Sequence, residues 1–264
     1  MDRKHYDDHH IAFAESFRAF ADKEVVPHIM DRERAGITPR EVFTALGKHG
    51  YLGMPIPEHY GGGGVDDFRF NQILDEQIAA AGMGGTGLGI SLHNDTCLPY
   101  FLSYCNEEQK QRWLPGIASG ELITAVAMTE PGAGSDLAGI RTSAKRDGDH
   151  YVVNGTKTFI TNGINADLVI TAVRTAMDRH QGMSLMILER GMPGFERGRN
   201  LEKVGLHSQD TAELSFSDVH VPVENLLGEQ GRGYGTAMRI LADGRVGLAA
   251  RCAGAGQRLS LIHI

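Results

Sequence analysis

The sequence predicts an α+β chain in which a helical N-terminal domain precedes an antiparallel β domain and the start of a C-terminal helical bundle. Three observations predict this order. Apolar residues recur at helical spacing up to about Gly120, short runs rich in Val, Ile, Thr and Phe follow, and helical texture returns at Tyr234. We therefore place the domain boundaries at 1–120, 121–230 and 231–264.

The first two helices are predicted from spacing and end signals. Phe residues at helical spacing predict a helix over 11–26, and Pro27 should end it. The stretch TPREVFTALGKHG predicts a second helix. Thr38 and Glu41 form a possible capping box at its start, and Gly50 suits its end.

Three further helices are predicted before the β domain. Apolar spacing predicts helices over 70–81 and 88–104, the second of which is weakened by its glycines. Asn106 with Gln109 is a start signal for a helix that should reach about Ala118.

The β domain is predicted from short apolar or alternating runs, namely LITAVAM, HYVVNG, KTFI, DLVITAV, MSLMIL and AELSFS. Asp147-Gly148 and Asn154-Gly155 lie between such runs and are typical of hairpin turns. We therefore expect an antiparallel sheet and not a βαβ array.

The chain ends inside the last predicted helix. Its final residues, LSLIHI, abandon the preceding pattern, and one back-translation of them (CTG TCT CTT ATA CAC ATC) reads like a transposon adapter from sequencing libraries. We expect residues 259–264 to be non-native and the C-terminal helical domain to be truncated. An in-frame stop after Ile264 in clean genomic sequence would refute this expectation.

Composition excludes several classes of function. The formal net charge is −7 and no dense Lys/Arg run exists, so a nucleic-acid partner is not expected. No apolar run approaches the roughly 18 residues of a membrane span, and no signal or transit peptide is recognisable at the start. We expect a cytoplasmic protein.

Neither cysteines nor histidines predict a metal centre. The three cysteines form no CxxC pair, which favours reduced, buried thiols. His5, His9 and His10 lie beside Asp7 and Asp8, but a solvated N-terminal helix explains this cluster equally well. No metal is predicted.

The stretch TEPGAGSD, which follows an apolar run, is the first candidate site. It is not a dinucleotide fingerprint, because Leu137 stands where the third glycine should follow Gly132 and Gly134. It is not a P-loop either, since Gly155 and Lys157 lack the upstream glycine.

Two interpretations of this turn remain. Its Pro-Gly and Ser-Asp pairs suit a plain β-turn. However, Thr129 and Ser135 add hydroxyl groups, and glycines let backbone N–H groups approach phosphate or carbonyl oxygens. The residues favour a ligand site.

The second candidate is KTFITNG. Phe159 could stack on a flat heterocycle that Thr161 and Asn162 bind by hydrogen bonds. In an ordinary strand, by contrast, Phe159 would point into the core and Thr161 would pair across the sheet. Residue chemistry alone slightly favours the ordinary strand.

Together, these stretches resemble the flavin-binding signature of the acyl-CoA dehydrogenases. AMTEPGAGSDLAGIRTSAKRDGDHYVVNGTKTFITNG, EEQKQRWLPGIASGE and GLHSQDTAELSFSDVHVPVENLLGEQGRGY resemble that family in order, up to about Gln257, and QDTAEL resembles its long-chain and bacterial members. The resemblance implies a helical domain, a middle β domain and a C-terminal four-helix domain, with FAD between the last two.

The resemblance also implies roles for individual residues. Thr129 would bond the flavin ring, Ser135 would serve FAD or CoA, and Phe159 stands where relatives often have Trp. The implied cofactor-binding residues are Val126, Ala127, Met128, Thr129, Gly134, Ser135, Phe159, Ile160 and Thr161. The implied substrate-binding residues are Ser135, Gly235, Asp243 and Arg245.

The reaction implied is the oxidation of an acyl-CoA to a trans-2-enoyl-CoA. The pro-R α-hydrogen leaves as a proton to a carboxylate base, and a β-hydrogen leaves as hydride to flavin N5. Hydrogen bonds from the flavin ribityl chain and a backbone amide would stabilise the thioester oxygen. Electron-transfer flavoprotein would accept the electrons, and the assembly would be a homotetramer or dimer.

No catalytic residue is identified. Some relatives carry a Glu at the position of Gly244, whereas most others carry the base far downstream, so we expect this chain to be inactive alone. Leu88, Ile90 and Leu92 lie where the end of an acyl tail is expected, although each could be plain core packing. An acyl-CoA oxidase, a flavin monooxygenase of the same fold and a non-catalytic acyl-CoA- or flavin-binding homologue remain as alternatives.

Overall fold

The computed structural model describes residues 5–179 and 181–264, without the side chain of Asp243. The α-helices are α1 Asp8–Phe20, α2 Ile29–Ala35, α3 Arg40–Lys48, α4 Phe68–Ala80, α5 Gly84–Ser91, α6 Leu98–Tyr104, α7 Glu107–Ser119 and α8 Gly233–His263. The strands are β1 Thr124–Ala127, β2 Ser143–Asp147, β3 His150–Thr161, β4 Leu168–Arg174, β5 Met183–Glu189, β6 Phe195–Asn200, β7 Thr211–Pro222 and β8 Leu226–Leu227. The predicted order of helices, strands and helix is confirmed.

The first helical segment is longer than predicted. A π-helical turn, Ala21–Val25, and a 3-10 turn, Val26–His28, join α1 to α2 without a break. Pro27 therefore does not end the helix. It lies in the first turn of the 3-10 segment, where its missing N–H costs little, and the segment ends only at Gly36, which adopts a left-handed φ of 73°.

The capping box predicted for α3 is wrong. Pro39 is the N-cap residue of this helix, and no side chain caps it. Thr38 instead donates its hydroxyl to the backbone oxygen of Ser208, 2.9 Å away in the β domain. This hydroxyl joins the two domains.

The other three predicted helices are confirmed with altered bounds. The segment predicted over 88–104 begins earlier, at α5, and passes through a π-helical turn, Leu92–Cys97, into α6. The capping box of Asn106 and Gln109 is confirmed at the start of α7.

The sheet has the strand order β6-β7-β3-β2-β4-β5-β8, and β1 pairs with β4. Most described pairs are antiparallel, as predicted, but β1 and β4 run parallel, and so does the single bridge from β2 to β4. The sheet is therefore mixed. The reason is that β1 and β4 are joined by a long crossover that contains the β2–β3 hairpin, and not by a tight turn.

The two predicted hairpin signals have different outcomes. Asp147-Gly148 forms the turn between β2 and β3, as predicted. Asn154-Gly155 is not a turn, because it lies inside β3 at a register shift against β7. Gly155 has a φ of 148°, and the Asn154 side chain bonds to Asp218 on β7, so this pair forms a β-bulge.

Three apolar clusters form the core. One fills the N-terminal helices, one lies on one face of the sheet, and the third lies between the other face, α6, α7 and the start of α8. Strands β4 and β5 are buried along almost their whole length. Helices α6, α7 and α8 thus cover part of one face of the sheet.

Helix α8 lies against α4 through glycines. A Cβ atom at Gly254 would come 2.7 Å from the backbone oxygen of Glu76 on α4, so only glycine allows this approach. On its other side α8 exposes Val246 and Leu248. Among the described residues, no helix is long and apolar enough to cross a membrane.

The cysteines follow the prediction in part. Cys97 and Cys105 are free and buried, as predicted. Cys252 is also free, but it is exposed on α8, so the expectation of burial is wrong for this residue.

Candidate functional site

Strand β1 runs into the TEPGAGSD turn. Glu130 and Ala133 close the turn with two backbone hydrogen bonds of 2.9 and 3.1 Å. Beyond them, Gly134 and Ser135 are exposed, and their N–H groups donate no hydrogen bond within the described residues. The segment is therefore a tight turn that also presents free donors.

A buried ion pair holds this turn from behind. Lys157 on β3 is fully buried, and its Nζ lies 2.9 Å from Glu130 Oε1 and 3.0 Å from the backbone oxygen of Met128. The carboxylate of Glu130 also accepts from the backbone N–H groups of Arg141 and Thr142, at 2.6 and 2.9 Å. These bonds fix the turn to β3.

Opposing effects set the pKa values of this pair. Burial lowers the pKa of Lys157 to about 8, although the charge of Glu130 partly offsets this. Burial would raise the pKa of Glu130, but the attraction of Lys157 and the hydrogen bonds to the carboxylate outweigh it and lower the pKa. Both groups are charged at neutral pH. In the sequence, Lys157 matches only an incomplete P-loop motif. Its position in an alternating strand does not indicate that the side chain is buried.

The turn and β3 are also joined by backbone. The N–H of Thr158 donates to the backbone oxygen of Thr129 over 2.9 Å. The two candidate segments, predicted separately from the sequence, are thus neighbours in space.

Phe159 departs from the ordinary strand that residue chemistry favoured. It has a left-handed φ of 59°, lies at a register shift between Lys157 and Ile160, and leaves its side chain 68% exposed. The bulge breaks the alternation of the strand, so that Ile160 enters the core in its place. An exposed aromatic ring on a strained backbone indicates a ligand surface.

The remaining cofactor candidates contribute in different ways. Ala127 and Ile160 are buried in the sheet core, so only their backbone is available to a ligand. Val126 and Thr129 are half-buried, and Thr161 is half-buried opposite Thr211 on β7. Met128 packs in the core between the sheet and the helices.

Asn162 does not face a ligand, so the ligand-binding interpretation of KTFITNG does not hold for this residue. It has a φ of 61° and is 1% exposed. Its amide nitrogen donates to the backbone oxygens of Gly89 and Thr124, each 3.1 Å away. The side chain is therefore used inside the protein.

Three of the four substrate candidates lie on α8, and the fourth, Ser135, lies in the turn. Gly235 and Arg245 are exposed, and Arg245 makes no hydrogen bond or ion pair with any described residue. The side chain of Asp243 lies outside the described part of the chain. A Cβ atom at Gly244 would lie 3.1 Å from Thr96 Oγ1, which places this position beside the π-helical turn between α5 and α6.

The residues proposed for the end of the acyl tail divide into two groups. Leu88 and Leu92 are half-buried on one side of the α5 segment. Ile90 is fully buried in the core of the N-terminal helices, so it cannot line a ligand channel in this structure.

A pair of buried acids was not predicted from the sequence. Asp75 on α4 and Asp95 in the adjacent π-helical turn are both buried beneath Gly247 of α8, whose added Cβ atom would lie 2.7 and 2.8 Å from their carboxylate oxygens. Burial and mutual repulsion raise the pKa of Asp95 well above its ordinary value, and burial raises that of Asp75. Arg251, with Nε 3.6 Å from Asp75, partly compensates the charge. The sequence feature that could have indicated this pair is Gly247, a glycine in the middle of a helix.

Among the N-terminal histidines, His10 has a structural role at the start of a helix. His10 closes a capping box with Asp7 at the start of α1, with Nδ1 2.7 Å from Oδ1. Within the described residues, no group of three or more His, Cys, Asp or Glu side chains could hold a metal ion.

The surface built by the turn and the β3 bulge fits a flat ligand that carries an anionic group. The exposed ring of Phe159 offers a stacking face, and the free N–H groups of Gly134 and Ser135 offer donors to phosphate oxygens. Because a Cβ at Gly132 or Gly134 would meet no atom within 4 Å, the space above the turn is open. These features suit a flavin nucleotide.

Comparisons with known proteins match this architecture. The family model described as "Acyl-CoA dehydrogenase, N-terminal domain" matches residues 7–121, and "Acyl-CoA dehydrogenase, middle domain" matches residues 125–219. The mitochondrial long-chain specific acyl-CoA dehydrogenase of Sus scrofa is 44% identical over 250 residues, which are 94% of this chain and 57% of that protein. The chain thus spans little more than half the length of this curated relative.

Two solved structures are also similar. The crystal structure of an acyl-CoA dehydrogenase from Geobacillus kaustophilus superposes with a TM-score of 0.94, at 49% identity, over 97% of this chain and 67% of that chain. The acyl-CoA dehydrogenase from Bacillus anthracis, crystallised with FAD, superposes with a TM-score of 0.89 at 33% identity, over 96% of this chain and 44% of that chain.

Proposed function

Because this chain belongs to the acyl-CoA dehydrogenase family, we propose that the protein binds FAD and takes part in the α,β-dehydrogenation of an acyl-CoA thioester. The observation that carries the proposal is Phe159, an exposed aromatic ring on a left-handed backbone beside a turn with free N–H groups. No interaction within the described residues accounts for that exposure, whereas a bound flavin would cover the ring.

We assign FAD to the surface between the turn and the β3 bulge. Phe159 stacks on the ring system, the Thr129 hydroxyl bonds its edge, and the N–H groups at Gly134 and Ser135 bind phosphate. The backbone at Val126, Ala127 and Met128 belongs with the turn to a first flavin wall. The backbone at Ile160 and Thr161 belongs with Phe159 to a second flavin wall, Phe159–Thr161. FAD, when bound, supplies the hydride acceptor of the reaction.

The acyl-CoA is assigned to the exposed side of α8 that carries Gly235 and Arg245. The guanidinium of Arg245, which has no partner among the described side chains, can pair with the phosphates of CoA, and Gly235 leaves open space at the start of the helix. Ser135 and Asp243 complete the proposed substrate set, and Leu88 and Leu92 offer an apolar wall for the acyl tail.

The general base is not assigned to any residue of this chain. Gly244 lacks the carboxylate that some relatives carry there, so we expect the chain alone to produce no enoyl-CoA. We further propose electron-transfer flavoprotein as the electron acceptor, a homotetramer or dimer as the assembly, and a cytoplasmic location, all on the strength of the family resemblance.

A titration with FAD tests the cofactor assignment. The fluorescence of FAD should be quenched saturably as it binds the chain. Phe159→Ala should weaken binding about tenfold, since base–aromatic stacking is worth roughly 1–3 kcal/mol. Phe159→Trp should bind at least as well as wild type. Equal FAD affinity in all three proteins would contradict the assignment.

An anaerobic reaction with an acyl-CoA tests the activity. Formation of enoyl-CoA by the chain alone would overturn the expected inactivity. Where activity is found, fast reoxidation of the reduced flavin by oxygen would identify an oxidase or monooxygenase instead of a dehydrogenase.

A further inference from the structure

Asn162 stands at the junction of β1, β3 and helix α5. It directly follows the second flavin wall, Phe159–Thr161, and adopts a left-handed φ of 61°. It is buried to 99%, so its side chain serves the protein interior.

Its side-chain amide bonds to three separate parts of the fold. Nδ2 donates to the backbone oxygen of Gly89 in α5 and to that of Thr124 in β1, each over 3.1 Å. Oδ1 accepts from Nε2 of Gln209, 3.0 Å away in the loop before β7. Gly89 lies between Leu88 and Ile90, and Thr124 begins the strand that leads into the TEPGAGSD turn.

The direction of the amide is fixed by its neighbours. Gln209 Nε2 also donates to the backbone oxygen of Asp210, 2.8 Å away, so its nitrogen is committed as a donor. Asn162 must therefore present oxygen to Gln209 and its NH₂ group to the two carbonyl groups. A carboxylate at this position could not make the same bonds.

Helix α5 is shaped to receive this amide. A Cβ atom at Gly89 would clash with Asn162 Oδ1 and with Gln209 Oε1, so the helix backbone comes as close as a glycine permits. The contact that this approach permits is polar, since the backbone oxygen of Gly89 accepts from Asn162 Nδ2.

We propose that Asn162 is a positioning residue that fixes the two flavin walls and helix α5 relative to one another. The inference rests on the proposed function for the identity of those surfaces. The hydrogen-bond geometry of the junction, however, is independent of any ligand. Asn162 acts on the cofactor only through Thr161, Phe159 and β1, and it touches none of the reacting groups.

Three variants test this role. Asn162→Ala removes the amide and strains the backbone, whereas Asn162→Gly removes the amide but tolerates the left-handed φ. The matched control is Asn225→Ala, because Asn225 is also fully buried and its amide donates to Ile187 and Glu189 of β5, at 2.9 and 2.8 Å.

Hydrogen exchange is measured on the chain without added ligand, and FAD affinity is measured by fluorescence quenching. Both Asn162 variants should speed exchange about tenfold or more in peptides from α5 and from β1, because each loses a buried hydrogen bond there. Their FAD affinity should fall by a similar factor. Asn225→Ala should leave both quantities within about twofold of wild type while lowering the melting temperature comparably.

The outcomes separate the inference from the proposed function. If exchange in α5 and β1 is unchanged in Asn162→Gly, the amide does not fix these elements and the inference is wrong. If exchange rises but FAD affinity matches that of the control, Asn162 is only structural, and the positioning role is overturned. If wild-type chain shows no saturable FAD binding, the proposed cofactor is wrong, and the exchange data alone decide whether Asn162 joins the three elements.

Discussion

At the scale of single residues, the site depends on charges and backbone angles that a residue pattern does not display. Phe159 was expected to point into the core by strand alternation, and a one-residue bulge reversed its direction. Bulges are set by pairing with a distant strand, here β7, so local sequence could not reveal this one. The resemblance to a flavin signature was what suggested Phe159 as a ligand contact.

Lys157 offers a test of the buried ion pair. Lys157→Met should lower the free energy of unfolding by about 3–5 kcal/mol, because it leaves the Glu130 carboxylate buried without its partner. Urea denaturation measures this change. Lys145→Met, at an exposed position of β2, is the control and should stay within about 0.5 kcal/mol of wild type. A loss of less than about 1 kcal/mol at Lys157 would show that the pair is dispensable.

Gly244 offers a test of the missing base. Gly244→Glu should bring a carboxylate beside Thr96 and give measurable enoyl-CoA formation from an acyl-CoA in the presence of excess FAD, where wild-type chain gives none. Gly244→Gln has the same shape without the base and should remain inactive. Equal rates in the two variants would remove the catalytic reason for a carboxylate at this position.

At the scale of secondary-structure elements, periodicity predicted the elements but not their ends or partners. Asn106 and Gln109 predicted the start of α7 correctly because a capping box is local. The helix end predicted at Pro27 was wrong because proline also suits the first turn of a new helical segment. The hairpin turn predicted at Asn154-Gly155 was wrong because such a pair also suits a β-bulge. The parallel pairing of β1 with β4 depends on a long crossover, which hairpin signals cannot predict.

The contact between α8 and α4 should respond to pH. Asp75 and Asp95 are raised in pKa in the folded chain, with Glu76 as a further like charge and Arg251 as the opposing charge. At these two carboxylates the folded state binds more protons than the unfolded state above about pH 4, so the contribution of the pair to stability should fall as pH rises through the raised pKa values.

Asp95→Asn should flatten this pH dependence. The amide keeps an acceptor for Asn71 and supplies a permanent donor to Asp75, which mimics the protonated pair. Melting temperatures are measured across the pH range, and the melting temperature of this variant relative to that of wild type should rise with pH. Asp147→Asn, at an exposed position, is the control and should follow wild type. A parallel decline in Asp95→Asn would contradict the role of the pair.

Two glycines of α8 should respond in opposite ways to substitution by alanine. Gly254→Ala should destabilise the chain by about 1–3 kcal/mol, because the new Cβ atom overlaps the backbone of α4. Gly256→Ala, where a Cβ atom meets no neighbour within 4 Å, should stabilise it by about 0.5–1 kcal/mol through helix propensity. Thermal denaturation measures both. A Gly254→Ala variant that is as stable as wild type or more stable would show that α8 does not pack on α4 through Gly254.

At the scale of the whole molecule, the order of the helical and β regions could be predicted, but their relative placement could not. That placement depends on polar contacts across long sequence separations, such as Thr38 with Ser208 and Glu33 with the same serine. Neither contact leaves a periodic trace in the sequence. The junction at Asn162 belongs to the same class, since its partners lie 73 and 38 residues away along the chain.

The distribution of thiols makes the molecule selectively addressable by chemical labelling. Burial raises the pKa values of Cys97 and Cys105 to about 12, so both stay protonated and unreactive, whereas Cys252 lies exposed on α8. Cys252 is next to Arg251, the residue that pairs with Asp75 across the α8–α4 contact. A maleimide-linked fluorophore should therefore attach at one place and report, through its anisotropy, whether α8 remains on the helical domain as pH changes or FAD is added.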